Sequence, residues 1–357
     1  MTANPVLVEV LRGGIVESAH RGAVAVVDAD GALHSAWGDI DRPIFPRSAV
    51  KVLQALPLVE SGAAEAFGLT DEELALACAS HGGEPHHTAA AASMLAKAGV
   101  DVGALECGTH WPYFDGAIKA MAAAGGQPTA LNNNCSGKHA GFVCLGCLMA
   151  NGDDRQAFLK GYVKPEHPVM REVTAAVQAT TGYDLAKAAV GTDGCSIPAY
   201  AIPLRHLALA FARVGTGTGL RPGHAAAAAR LRQAVARAPH MVAGTGRFDT
   251  RVMEVFGERV FCKVGAEGVY CAALPTLGLG VAVKMDDGNT ARACEVVMAA
   301  LLARLLSRFE ARFQARFQAL AESETSFVQS LADVALVNWN GIEVGRLRAA
   351  EALLAAR

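Results

Sequence analysis

Ser48 and Lys51 stand three residues apart in FPRSAVKVLQ, just after Pro46, where a helical pattern begins. That spacing places both side chains on one helix face. A serine hydroxyl is a weak nucleophile at neutral pH, but a lysine desolvated one turn away can be neutral enough to take its proton. The helix N-terminus would help to hold developing negative charge. Alone, S-x-x-K equally describes a capping serine followed by a solvated lysine, so the reading depends on companions.

Two companions follow in the chain order that S-x-x-K acyl-transfer enzymes use. Ser80 lies in ASHGGEPHH, a loop that crowds His81, Glu84, His86 and His87 together, and offers a second hydroxyl to relay a proton to a leaving group. Lys263 is a charged residue in the strand-like run FCKVGAEG, and Gly265 after it would let a substrate approach the backbone closely. The arrangement resembles the K-T-G element of β-lactamases and penicillin-binding proteins, although neither K-T-G nor S-D-N occurs here.

A third cluster joins NNNCSGKHAG, with Cys135, Lys138 and His139, to TDGCSIP, with Asp193 and Cys195. Thiolate and imidazole suit zinc, so two cysteines at glycine-bearing turns beside His139 and Asp193 are candidate donors. Two unrelated buried thiols are the competing reading. Cys144 and Cys147 form a C-x-x-C inside the apolar run GFVCLGCLMA and read as helix core. No G-x-S-x-G, G-x-x-x-x-G-K-[ST], H-E-x-x-H or G-x-G-x-x-G is present, which removes the commonest hydrolase, NTPase, zincin and dinucleotide readings.

The elements that must carry these groups follow from the pattern. VLVEVLRGG and HRGAVAVVDADGALHSAWG read as strands, with a hairpin turn at residues 29 to 31. From Pro46 onward the period becomes helical, through TDEELALACAS, TAAAASMLAKAGV and residues 138 to 150. Strand patterns return at RVFCKVGAEGVYCAAL and LGLGVAVKMDDGN. A long helix capped by Asn289 or Thr290 comes next, and then a final strand in VALVNWNGIEVG. The expected class is α+β, one catalytic domain over residues 1–357: a sheet from segments of about 5–45 and 255–345, and a helical lobe of about 47–240 inserted between them. VGTGTGLRPGH at 214 to 224 reads as a surface loop rather than a domain boundary. The unit RFEARFQARFQA reads as a Phe309, Phe313 and Phe317 core stripe beside a solvated row of Arg304, Arg308, Arg312 and Arg316.

With 357 residues, 52% hydrophobic and 18% charged, the chain can bury a large core, which excludes a disordered protein. The 32 Lys+Arg against 34 Asp+Glu leave no global field to attract nucleic acid or an anionic membrane. Nine scattered cysteines suit reduced thiols rather than a disulfide scaffold. With no signal-like start and no long uncharged apolar run, the expectation is a soluble, cytoplasmic protein without membrane or nucleic-acid partners.

Taken together, FPRSAVK, SHGGEPHH, NNNCSGKHAG, GTDGCSIP, CKVGAEGVY and VKMDDGN resemble the Rhizobium etli type of L-asparaginase, the third structural class, also called the asparaginase II family. The similarity runs from about residue 7 to residue 345, and CSGKHAG paired with DGCSIP is its most specific part. It implies a fold similar to serine β-lactamases and glutaminases, and a homodimer that hydrolyses L-asparagine to L-aspartate and ammonia. On the family pattern Ser48 is the nucleophile with Lys51 its base, and Ser80 and Lys263 form a second Ser-Lys pair. The resemblance also implies Zn2+ held by Cys135, Lys138 and Cys195, with water completing the shell. Lysine must lose a proton to bind a metal, and His139 is the ligand that side-chain chemistry alone would prefer. The chain departs from the pattern in having Asn132 where relatives often have His, and Val52 where Pro is common.

Asparagine carries a carboxylate, an ammonium and an amide, so its site needs a cation, an anion and a nucleophile in fixed geometry. Arg47 is the candidate for the carboxylate, Asp193 and Glu84 for the ammonium, and His81 and His139 for further substrate contacts. Zinc would position the substrate rather than perform chemistry. A glutaminase, a β-lactam hydrolase and a non-catalytic amino-acid sensor are the alternatives.

Overall fold

The computed structural model describes residues 3–152, 154–313 and 322–355. One eight-stranded antiparallel sheet is built from both ends of the sequence. Its strands are β1 (Val6–Arg12), β2 (Ile15–Asp28), β3 (Leu33–Trp37), β4 (Phe261–Gly265), β5 (Val269–Leu274), β6 (Leu279–Met285), β7 (Asp333–Val337) and β8 (Glu343–Ala349). The order is β7-β8-β1-β2-β6-β5-β4, with β3 also on β2. The long β2 serves two neighbours in turn, pairing through its first half with β1 and through its second with β6. At the far end Val8 of β1 faces Ala349 of β8.

The expected N-terminal hairpin turn is present, with the Asp28 carboxylate accepting from the backbone N–H groups of Asp30 and Ala32. The expected single C-terminal strand is instead the β7–β8 hairpin. Asn338 causes the difference, because its Oδ1 accepts from the N–H of Asn340 (2.9 Å) and of Ile342 (3.0 Å) and turns the chain back.

Between β3 and β4 the chain is mainly helical. The helices that matter to the site are α1 (Lys51–Glu60), α2 (Asp71–Ala77), α3 (Ser136–Met149), α4 (Leu204–Thr216) and α5 (Phe248–Phe256), followed after β6 by α6 (Glu295–Phe313). α1 and α3 are buried almost all round, as their nearly unbroken apolar sequences require. Helix α2 starts at a capping box in which Thr70 Oγ1 accepts from Glu73 N–H and Glu73 accepts from Thr70 N–H. The sheet packs on α4, and one contiguous apolar core reaches from Leu7 to Leu353. Asn289 caps the segment that leads through one wide turn into α6.

All nine cysteines are buried and free, Cys144 and Cys147 within α3. The stretch at 214 to 224 is the end of α4, a short loop and the start of the next helix. The Phe309, Phe313 and Phe317 stripe lies outside the described side chains. Among the described residues no helix is long and apolar enough to cross a membrane.

Candidate active site

The segment after Pro46 is a 3-10 turn, Arg47–Val50, that runs directly into α1. Arg47 adopts a left-handed backbone, φ +52°, and its Nε donates to Asp193 Oδ1 at 2.7 Å. Ser48 sits on this turn, half-buried, and Lys51 is the first residue of α1, fully buried. Gly265 of β4 lies against the same turn. A Cβ there would come 2.6 Å from the Pro46 carbonyl oxygen, so the glycine is needed for strand and turn to meet. The observed role of Gly265 is this packing, which the sequence did not reveal.

Ser80 follows α2 in a segment pinned on both sides. Its N–H donates to Val242 O, and the next N–H, of His81, donates to Asn134 O. Lys51 Nζ donates to the Ala79 carbonyl (2.5 Å), Ser80 Oγ (2.9 Å) and Cys135 Sγ (3.1 Å). Lys263 donates to the same Ser80 oxygen at 3.1 Å and to Val264 O at 2.8 Å. Among the described residues no hydrogen bond joins Lys51 to Ser48. Burial pushes the Lys263 ammonium down to about 8, with Asp249 opposing the shift and Lys51 and Arg247 assisting it.

Cys135 caps α3, its N–H held by Asn133 Oδ1 at 2.8 Å. Gly137, one residue into the helix, lets α3 touch α2, where a Cβ would sit 2.3 Å from Leu76 Cγ. Cys195 lies in a tight turn closed by bonds between Asp193, Ser196 and Ile197, with Ser196 at φ +76°. Lys138 Nζ donates to Cys195 Sγ at 3.0 Å. A hydrogen bond from Cys195, then the Lys51 and Lys138 charges, hold the Cys135 thiol well below its usual value, while that bond and burial push Cys195 up. Burial opposes the Lys138 charge, but Cys195, Cys135 and Asp193 outweigh it and raise the group. Asp193 is likewise raised by burial but held low by Lys138 and Arg47.

These turns enclose a cavity of about 350 Å³. Arg47, Ser48, Ser80, Cys135, Asp193 and Cys195 line it, and Lys51, Lys138 and Lys263 each bond to one of those lining residues. The three other sequence candidates lie elsewhere. His81 is buried, its Nε2 3.0 Å from Ser136 Oγ, and His139 is buried with Nδ1 2.7 Å from Tyr162 Oη. Glu84 lines an adjoining cavity of about 250 Å³, its carboxylate accepting from the N–H and the hydroxyl of Thr245.

Among the further lining residues not expected at the site are His110, Tyr113, Arg247 and Thr290. Asp249 behind the wall was missed too, because an acid in the first turn of a helix reads as a surface partner of the helix dipole. It is instead buried, with Oδ1 accepting from Val264 N–H at 3.0 Å.

Two donor sets bear on metal binding. Counting only His, Cys, Asp and Glu, the described residues bring one group together, Glu84, His86 and His87, with ligand atoms within 4.8 Å. Two of its members are engaged elsewhere: Glu84 accepts from Thr245, and His87 Nδ1 accepts from the Glu84 N–H with its Nε2 facing His240 O. Cys135, Lys138 and Cys195 form the other set. Two hydrogen-bonded thiols on the cavity wall and the amine bonded to one of them fit the donor preference of zinc, on condition that Lys138 sheds its proton.

Residues 8–349 match the family model described as L-asparaginase II. No curated protein matches the chain. Among solved structures, one titled as a crystal structure analysis of Mglu is 17% identical, with a TM-score of 0.35 over 85% of this chain and 70% of that one. Another, of Mglu in its tris and glutamate form, is 18% identical, with a TM-score of 0.35 over 90% of this chain and 66% of that one. The chain spans 62% of the length of a third, Mglu in its native form in the presence of 4.3M NaCl, at 17% identity, 84% of this chain and a TM-score of 0.34.

Proposed function

The chain belongs to the L-asparaginase II family and is an amidohydrolase, and from that premise we propose that it hydrolyses the side-chain amide of L-asparagine to L-aspartate and ammonia. The observation that carries the reading is Ser48 and Ser80 on the wall of one cavity, with Lys51 and Lys263 both bonded to Ser80.

Ser48 Oγ attacks the amide carbon, and its proton passes to Lys51. The C–N bond then breaks, ammonia leaves with a proton delivered through Ser80 and Lys263, and an aspartyl ester remains on the serine. Water hydrolyses that ester and restores the hydroxyl. Lys51 must reach Ser48 for the first step, and catalytic bonds of this kind often tighten only when substrate is bound. A second reading is favoured by one observation: Lys51 and Lys263 both bond to Ser80, which makes Ser80 the better-activated hydroxyl before substrate arrives.

Cys135, Lys138 and Cys195 are the residues that would hold zinc. The ion would supply a fixed positive charge that ties two turns of the cavity wall together. A fold similar to serine β-lactamases and glutaminases, a single catalytic domain and a homodimer belong to the same proposal.

The test is ammonia release from L-asparagine and L-glutamine by purified protein, with zinc measured on the same sample. Release from asparagine with about one zinc per chain supports the whole reading. No release from either amide by folded protein removes it and leaves an amino-acid sensor as the better description.

A further inference from the structure

An amino-acid amide brings its own α-carboxylate into the cavity, and a guanidinium is the group best shaped to receive it, through two parallel N–H···O bonds. Two arginines line the wall. Arg47 already shares its charge, because its Nε donates to Asp193 at 2.7 Å and the carboxylate it holds is only 12% exposed. To bind substrate through its Nη groups it would divide one positive charge between two carboxylates. Arg247 differs: it is exposed, and its guanidinium makes no hydrogen bond or ion pair with any described residue.

Its position is nonetheless fixed by its neighbours. Thr245 is clamped to Glu84 through N–H (2.8 Å) and hydroxyl (2.6 Å), and Thr250 Oγ1 holds the Gly244 carbonyl at 2.7 Å. Two residues beyond Arg247, Asp249 is bonded to the N–H of Val264, next to Lys263. The segment carrying Arg247 is therefore tied to the wall that carries Lys263, and Arg247 lines both the main cavity and the adjoining one.

We propose that Arg247 binds the α-carboxylate of the substrate, and that Arg47 serves instead to hold Asp193 in place for the α-ammonium. The assignment rests on the asparaginase reading. It makes Arg247 the residue that separates free amino-acid amides from those whose carboxylate is blocked.

Ammonia release from L-asparagine is compared with release from its α-methyl ester, which keeps the side-chain amide and lacks the negative charge, using the unaltered protein, Arg247→Gln and Arg247→Lys. The unaltered protein prefers the free acid. In Arg247→Gln that preference in kcat/KM falls about tenfold or more, mainly through KM for asparagine, and Arg247→Lys restores part of it. An unchanged preference in Arg247→Gln overturns the assignment while leaving the asparaginase reading intact. No ammonia from L-asparagine with the unaltered protein overturns the asparaginase reading, and this assignment with it.

Discussion

Lys51 and Lys263 donate to the same oxygen, Ser80 Oγ, from 2.9 and 3.1 Å. Two ammonium groups converging on one hydroxyl repel each other, and the repulsion lowers the cost of losing a proton from one of them. Lys263 is brought down to about 8, mainly by burial, with the Lys51 charge assisting. Lys263 can therefore give or take the Ser80 proton near neutral pH.

Asp249 sets where that exchange occurs. Its carboxylate favours the Lys263 ammonium, so Asp249→Asn, which retains an acceptor for Val264 N–H, lowers the Lys263 value further. The limb of the rate profile that reports Lys263 moves to lower pH by about one unit. Profiles of kcat for the two proteins check this, and superimposable curves would refute it.

The serines separate by trapping. With Ser48 as nucleophile, Ser48→Ala loses roughly 10⁴-fold or more in kcat and shows no aspartyl adduct by mass spectrometry after rapid quenching. Ser80→Ala is slow but still accumulates the ester on Ser48. An adduct on Ser80 in the Ser48→Ala protein would reverse the two roles.

For the sulfur pair, Cys135→Ser and Cys195→Ser each lower zinc content to a small fraction of one per chain and raise KM more than they lower kcat. Zinc loading of the unaltered protein also strengthens as pH rises, because Lys138 must give up a proton that Cys195 and Cys135 stabilise. Metal analysis after dialysis at two pH values, with kinetics on the same samples, tests both statements. Equal loading at both would argue against lysine as a ligand.

Gly265→Ala puts a methyl group 2.6 Å from the Pro46 carbonyl oxygen and 3.0 Å from Val269 Cβ. Neither neighbour is a flexible side-chain tip, so β4 and the Ser48 turn must separate. A stability loss of about 1–3 kcal/mol is expected, with a fall in kcat larger than that loss explains. Thermal unfolding and kinetics at one temperature measure the two effects apart.

Side-chain type and local period made much of this molecule legible. The paired strands before Pro46, the helical run after it, the capped α6 and the buried Cys144 and Cys147 all follow from patterns a few residues long. Ser48, Ser80 and the two cysteine turns were legible because glycine and proline mark turns, and reactive groups at turns line cavities. Partner choice was not, since it is decided in three dimensions. Nothing in FPRSAVK reveals that Lys51 bonds to Ser80, or that Arg47 is occupied by a carboxylate 146 positions away. His139 looked like a ligand beside Lys138, yet one helical step turns it toward Tyr162.

The place of β1 between β2 and β8 has a consequence for how the protein is made. Val8 leaves the ribosome with its partner Ala349 still 341 residues behind. At roughly 5–20 residues per second, β1 keeps one bare edge for on the order of half a minute. A bare edge invites pairing with another chain. Nascent copies on one message are therefore each other's nearest hazard, and shielding of the N-terminal hairpin during translation should govern yield more than the stability of the finished fold.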